Sequence, residues 1–185
     1  KIWIDNFMKI PFNNYCNLPI TINDGIDKCK EYILNARKVL DEATYGLTDA
    51  KFLILQFLAE LINNPESNGI VVGIKGTMGT GKTTLVKDGI SKILNRPFQF
   101  LPLAGIQDGC YLDGHSYTYD GSKHGKIVDI LIQTKCMNPI IYGDELDKVS
   151  GTSREDEIIG LLTHLTDTTQ SSEFNDKYFS EINFN

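Results

Sequence analysis

Long apolar runs are missing from this chain: no stretch approaches the ~20 consecutive apolar residues of a bilayer-spanning helix, so nothing in these residues predicts insertion into a membrane. The opening Lys1-Ile2-Trp3-Ile4-Asp5 lacks the extended apolar segment of a secretory signal. Positive charge is in deficit. Against 24 Asp and Glu stand 18 Lys and Arg, a net charge of −6, which argues against a basic surface that would hold a nucleic-acid backbone through counterion release. Neither nucleic acid nor membrane is an expected partner. Cysteine is scarce and dispersed: Cys16, Cys29, Cys110 and Cys136 form no C-x-x-C pair, which disfavours a zinc site or a disulfide framework. They read as reduced, mostly buried thiols. Repeats and biased tracts are also absent.

What is present is an ordinary globular composition over 185 residues, 41% hydrophobic and 23% charged. That suits one domain, or one domain with a small appendage. The opening, punctuated by Pro11, Asn13, Asn14, Asn17 and Pro19, reads as irregular connector. From about Asp24 to Asp41, Ile26, Cys29, Ile33, Ala36, Val39 and Leu40 recur at helical spacing, with Asn23 or Asp24 available as N-cap. Phe52, Leu55, Leu58, Leu61 and Ile62 repeat the pattern over Thr48 to Ile62, and Asn63-Asn64-Pro65 stops it. The period then changes. Ile70-Val71-Val72-Gly73-Ile74 has the look of a short buried parallel strand. Leu85, Val86, Ile90, Ile93 and Leu94 mark a helix, Phe98 to Leu101 a strand, Ile127 to Gln133 a helix, Pro139 to Gly143 a second buried strand, and Arg154 to Leu165 a last helix. Alternating strands and helices predict an α/β fold with a parallel sheet.

Between the first of these strands and the helix that follows lies Gly76-Thr77-Met78-Gly79-Thr80-Gly81-Lys82-Thr83, which matches G-x-x-x-x-G-K-[ST]. Glycines let successive backbone N–H groups turn inward, and a helix N-terminus adds its positive dipole end, so the loop suits phosphate oxygens. Residues Gly76 to Thr84 are the expected nucleotide contacts. Lys82 would meet the β- and γ-phosphates, and the Thr83 hydroxyl would take one position on Mg²⁺. Asp144 and Glu145 close the second buried strand, at the end of the sheet where ligands of open α/β folds bind. Asp144 would hold Mg²⁺ and Glu145 would act as base toward an attacking water. An ordinary glycine turn and a solvated acidic turn are the bland alternatives.

With these residues in view, the sequence from about Leu40 onward resembles the AAA+ ATPase module of Lon-type ATP-dependent proteases. Asp41-Glu42-Ala43-Thr44-Tyr45-Gly46-Leu47 is similar to the family's D-x-D-H-Y-G-L segment. Gly105-Ile106-Gln107-Asp108, Gly114-His115, Thr118-Tyr119 and Gly125-Lys126-Ile127 track its G-G-V-R-D … G-H-R-R-T-Y … P-G-K-I block. Asn138-Pro139 with Asp144-Glu145-Leu146-Asp147-Lys148-Val149-Ser150, and Phe174-Asn175-Asp176-Lys177-Tyr178, resemble two further blocks. The resemblance implies a P-loop NTPase fold of three layers, a parallel sheet flanked by helices, over residues 41–185, with a helical or connector segment over 1–40. It implies ATP and Mg²⁺, Tyr45 over the adenine, a homohexameric ring and unfolded protein substrates gripped by Tyr119. Asp120 departs from the aliphatic residue expected beside that tyrosine, and Leu161-Leu162-Thr163-His164-Leu165-Thr166 lacks the acidic residues of the family's L-L-E-V-L-D. His115, His124 and His164 have no second ligand at i+4 and read as polar or capping residues rather than metal ligands.

The family continues with a sensor asparagine, an arginine finger, a helical lid and a Ser-Lys protease domain. By that comparison the 185 residues are expected to be an excerpt or a truncated relative, to leave a slot in their own sheet, and to be poorly stable and nearly inactive alone. A cytoplasmic setting is expected, with an organelle or virus as alternatives. The leading expectation is metal-assisted ATP hydrolysis that feeds protein to a protease. A nucleotide-dependent switch or protease-less chaperone with weak hydrolysis is the second, and a nucleic-acid-remodelling ATPase is disfavoured by the acidity and the want of a basic-aromatic patch.

Overall fold

A computed structural model describes residues 2–65, 70–106, 108–119, 121–149, 153–167, 174–182 and 184. Gln107, Asp120 and Ser150, which carried parts of the resemblance, lie outside the described residues. In chain order the principal elements are α1 (Ile2–Phe7), α2 (Ile26–Ala43), α3 (Thr48–Asn63), α4 (residues 82–94), β1 (Phe98–Pro102), α5 (Cys110–Asp113), α6 (Lys126–Thr134), β2 (Ile140–Asp144) and α7 (Ser153–Thr166). They form two compact units, Cys16–Phe98 and Lys1–Tyr15 with Gln99–Asn185.

In the first unit α2 and α3 are the helices that the apolar spacing predicts, with small changes in which residues face inward. On α2, Cys29, Ala36 and Leu40 are buried, but Ile26 is 79% exposed. On α3 the inner stripe is Lys51, Ile54, Leu58, Leu61 and Ile62, and Phe52, expected inside, is exposed. Nor does Asn23 or Asp24 cap α2. Gly25 holds that position, because the Asp24 carboxylate is taken up by the Thr21 amide at 2.8 Å and the Thr21 hydroxyl at 3.0 Å. Helix α4 is irregular: Lys82–Thr84 is α-helical, Leu85–Ile90 π-helical and Ser91–Leu94 α-helical again. Such π segments recur at functional sites. Here the wide turn carries Gly89, where a Cβ would lie 2.9 Å from Leu40 Cδ2, so α4 and α2 approach closely. Leu85 and Ile93 join Leu40, Leu58 and Ile62 in this core.

The expected strand at residues 70–74 does not form. Ile70, Val71 and Val72 are 38–54% exposed, and the described residues contain one sheet, β1 beside β2. A β-branched run is apt for a pleated, covered surface, but a strand exists only with a partner. The segment has none among the described residues, and it is irregular chain leading into the glycine loop.

In the second unit β1 and β2 are parallel, joined through α5 and α6, and the Leu103 amide continues the ladder to the Asp144 carbonyl at 3.0 Å. Residues of β2 alternate half-buried and exposed, so this strand is less covered than its apolar run predicts. Leu101, Leu112, Val128, Ile158 and Phe179 form the centre of the core. The connector expected at the start is in part helical. Trp3 and Phe7, four residues apart and therefore on one face of α1, stack at 5.4 Å and pack on this core. The Trp3 indole also donates to the Tyr178 carbonyl at 3.1 Å.

Candidate functional site

The glycine loop bends where its sequence permits. Gly79 and Gly81 have φ of +77° and +83°, in the left-handed region that glycine enters without penalty. Gly81 is the N-cap of α4, and its carbonyl accepts from the Leu85 amide at 2.8 Å. The first amides of the helix, from Lys82 onward, therefore lie at the loop without intrahelical acceptors, at the positive end of the dipole. The Lys82 ammonium folds over the loop and donates to the carbonyls of Gly76 at 2.9 Å and Thr77 at 2.8 Å. Thr80 braces the same turn through a 2.9 Å bond to Thr77. A phosphate would compete with two neutral carbonyls for that ammonium, and it adds an opposite charge to the hydrogen bond. Lys82 and Thr83 are half-buried, whereas Thr84 and Met78 are exposed.

Beside this loop runs the reversal from α2 to α3. Gly46 and Leu47 are both left-handed, at φ +68° and +53°, and Tyr45 is fully exposed. Thr44 touches the phosphate loop: a Cβ at Gly81 would lie 3.2 Å from the Thr44 methyl. Lys51 of α3, only 7% exposed, reaches back to the Asp41 carboxylate at 2.9 Å and the Thr44 carbonyl at 2.6 Å. Sequence reading missed it, although its place on the stripe with Ile54, Leu58 and Leu61 was the available sign.

In the other unit Asp144 ends β2 and Glu145 follows with φ +59°, left-handed without being glycine. The Asp144 carboxylate accepts the Glu145 amide at 3.1 Å, and the Lys148 ammonium pairs with Glu145 from the 3-10 turn Leu146–Lys148. That bond holds Lys148 above its ordinary pKa. The candidate base thus already has a cationic partner.

The loop that carries Tyr119 has a tight neck. The His115 amide donates to the Lys123 carbonyl at 3.1 Å, and Gly114 and Gly125 pack backbone to backbone. Asp176, wholly buried, locks the neck by accepting the Gly125 amide at 2.7 Å and the Tyr178 amide at 2.9 Å. Burial pushes its carboxyl up to about 6 against those two amides. Tyr119 is 71% exposed and Tyr117 60%. The family likeness at Phe174-Asn175-Asp176-Lys177-Tyr178 had marked Asp176 without revealing what it holds.

Asp108, Cys110 and His115 bring ligand atoms within 4.8 Å of one another, a convergence made by α5 that i+4 spacing cannot reveal. Charge opposes a cation there. The Lys177 ammonium lies 3.7 Å from Cys110 Sγ, and burial raises the thiol. His124 stacks on Phe179 with its Nδ1 buried and unpartnered among the described residues, and burial lowers its pKa. The four cysteines are thiols rather than disulfides; Cys29 and Cys136 are buried and Cys16 and Cys110 half-buried.

A glycine-rich loop capping a helix, in a chain of helices with a small parallel sheet, defines a phosphate-loop nucleoside triphosphatase. The chain belongs to the ATPase family associated with various cellular activities (AAA), which it matches over residues 72–179. Among curated proteins it is 36% identical over 182 residues to a Lon protease homolog of Acanthamoeba polyphaga mimivirus, covering 96% of this chain and 18% of that protein. It is 34% identical over 176 residues to the Lon protease of Fusobacterium nucleatum, covering 95% and 21%. To the peroxisomal Lon protease homolog 2 of Zea mays it is 38% identical over 145 residues, covering 78% and 16%. The chain spans about a fifth of the length of these relatives.

Proposed function

We propose that the chain binds ATP with Mg²⁺ and hydrolyses it as the motor of a Lon-like protease, drawing unfolded protein toward a peptidase. The observation that carries the reading is the left-handed Gly79 and Gly81 leading into α4, with the Lys82 ammonium over the loop. Amides 76 to 84 would take the triphosphate, and Tyr45 the adenine side. Thr83 and Asp144 offer a hydroxyl and a carboxylate, the hard oxygen donors that Mg²⁺ selects. Bound there, Mg²⁺ would neutralise charge on the β- and γ-phosphates. Glu145 would take a proton from the attacking water, and Tyr119 would press on substrate in a homohexamer. The cytoplasm is the compartment of this reading, which fractionation tests; no described helix is long and apolar enough to cross a membrane.

Glu145→Gln tests the chemistry. General-base removal costs about 10²- to 10⁴-fold, so hydrolysis should fall by that factor while ATP binding persists. Lys82→Ala should lose binding. A nucleotide-dependent switch is the second reading, favoured by the Lys148 ion pair on Glu145. In a switch, Glu145→Gln would leave turnover at its already low level.

A further inference from the structure

We infer that Lys51 is a positioning residue of the nucleotide site: it braces the Thr44–Leu47 reversal against the phosphate loop. The inference deepens the ATP reading and rests on it.

Lys51 is a buried cation on an otherwise apolar helix face. Burying an ammonium is costly unless it is paired and hydrogen-bonded. Its carboxylate partner Asp41 is 58% exposed, so a methionine at 51 would leave that charge in water rather than buried and unpaired. Packing alone therefore does not call for lysine here, where methionine would fill the same channel. What methionine cannot do is hold the Thr44 carbonyl, at 2.6 Å, and the Asp41 carboxylate, at 2.9 Å.

Those two acceptors belong to the last turn of α2 and the residue just beyond it, where helix carbonyls run out of partners. Immediately after come the two left-handed residues Gly46 and Leu47. Leu47 in that conformation costs about 1–2 kcal/mol, so the reversal needs an external tether. The Thr44 hydroxyl supplies none, because it is buried without a partner among the described residues. Lys51 is the tether that the geometry offers. Its effect reaches the site through Thr44, whose methyl abuts Gly81, the N-cap of α4 and the last glycine of the phosphate loop. Release of Thr44 would loosen both the Gly81 turn and the placement of Tyr45. Lys51 touches no nucleotide in this account; it acts by presenting the two segments that do.

The test uses the full-length protein, its Lys51→Met and Lys51→Arg variants, and Lys82→Ala as a binding-deficient reference. ADP and ATP affinities are measured by calorimetry, thermal unfolding in parallel, and amide hydrogen exchange at 44–47 with and without ADP. The expected result is that Lys51→Met binds ADP about tenfold more weakly, in line with losses on removing supporting residues. Its unfolding temperature should fall by only a few degrees, the effect of a lost hydrogen bond to the Thr44 carbonyl, and Lys51→Arg should recover most of the affinity. In the parent, ADP should slow exchange at 44–47 as well as 76–84. Undiminished ADP affinity in a folded Lys51→Met protein overturns the inference alone. Should Lys51→Met fail to fold, the parent decides: no ADP-dependent slowing at 44–47 overturns it too. A parent that binds neither nucleotide overturns the ATP reading, and this inference with it.

Discussion

At residue scale the neck of the Tyr119 loop separates two kinds of glycine. Gly125 has an ordinary φ, yet a Cβ there would meet the Leu112 carbonyl oxygen at 2.1 Å and the Gly114 nitrogen at 2.6 Å. Backbone cannot swing aside like a side-chain tip. Gly125→Ala should therefore cost about 3 kcal/mol, the upper end for overpacking. Gly121, at the far side of the loop, is left-handed at φ +79° with open space around it, so Gly121→Ala should cost about 1 kcal/mol from backbone strain alone. Urea denaturation of the two variants reads the difference; equal costs would mean that the neck yields. Legibility follows the same division. The phosphate loop announces itself because its chemistry is local and needs glycine at fixed spacing. Asp176 and Lys51 act across 51 and 7 to 10 residues, and their chemistry shows only when the chain brings donor and acceptor together.

At the scale of elements, helices with a continuous apolar stripe were readable to within two residues, as at Lys126–Thr134 against an expected 127–133. Two errors share a cause. The 70–74 segment was read as a strand on propensity, which cannot supply a neighbouring ladder. The helix Ile2–Phe7 was read as connector because six residues are too few for periodicity to register, and tertiary stacking of Trp3 on Phe7 decided it. The π-helical turn of α4 was likewise invisible, since it answers to Leu40 on another helix. Gly89→Ala weighs these influences directly. Helix propensity favours alanine by about 1 kcal/mol. Against it stands a Cβ 2.9 Å from the δ-carbon of Leu40, a side chain with 0% exposure. Overpacking costs about 1–3 kcal/mol, so the net effect should be destabilising by about 1 kcal/mol. A denaturant midpoint higher than the parent's would show that α4 can slide away from α2.

For the whole molecule, the pH dependence of stability depends on two groups of opposite sign, the buried Asp176 and the half-buried His124. Asp176 faces Asp113, which raises it further, and the Gly125, Tyr178 and Phe179 amides, which lower it; burial outweighs them and its carboxyl is pushed up to about 6 from 3.8. The folded form then binds more protons than the unfolded form between these values. Stability from this group is complete below about pH 4 and is lost as pH rises through 6, a change on the order of 3 kcal/mol. His124 works the other way. Burial lowers its pKa, with Asp129 opposing and Lys9 assisting, so the unfolded chain takes up the proton first and stability falls as pH drops below the usual histidine range of about 6.5. Between pH 4 and 7 the two contributions oppose each other, so the parent's unfolding temperature should rise less on acidification than Asp176 alone would make it. His124→Phe should remove the histidine's part, keep the ring stack on Phe179, and leave a melting temperature that rises as pH is lowered from 7 to 4. A variant whose melting temperature instead falls over that range would place the Asp176 carboxyl near its ordinary value, with the amides rather than burial setting its charge.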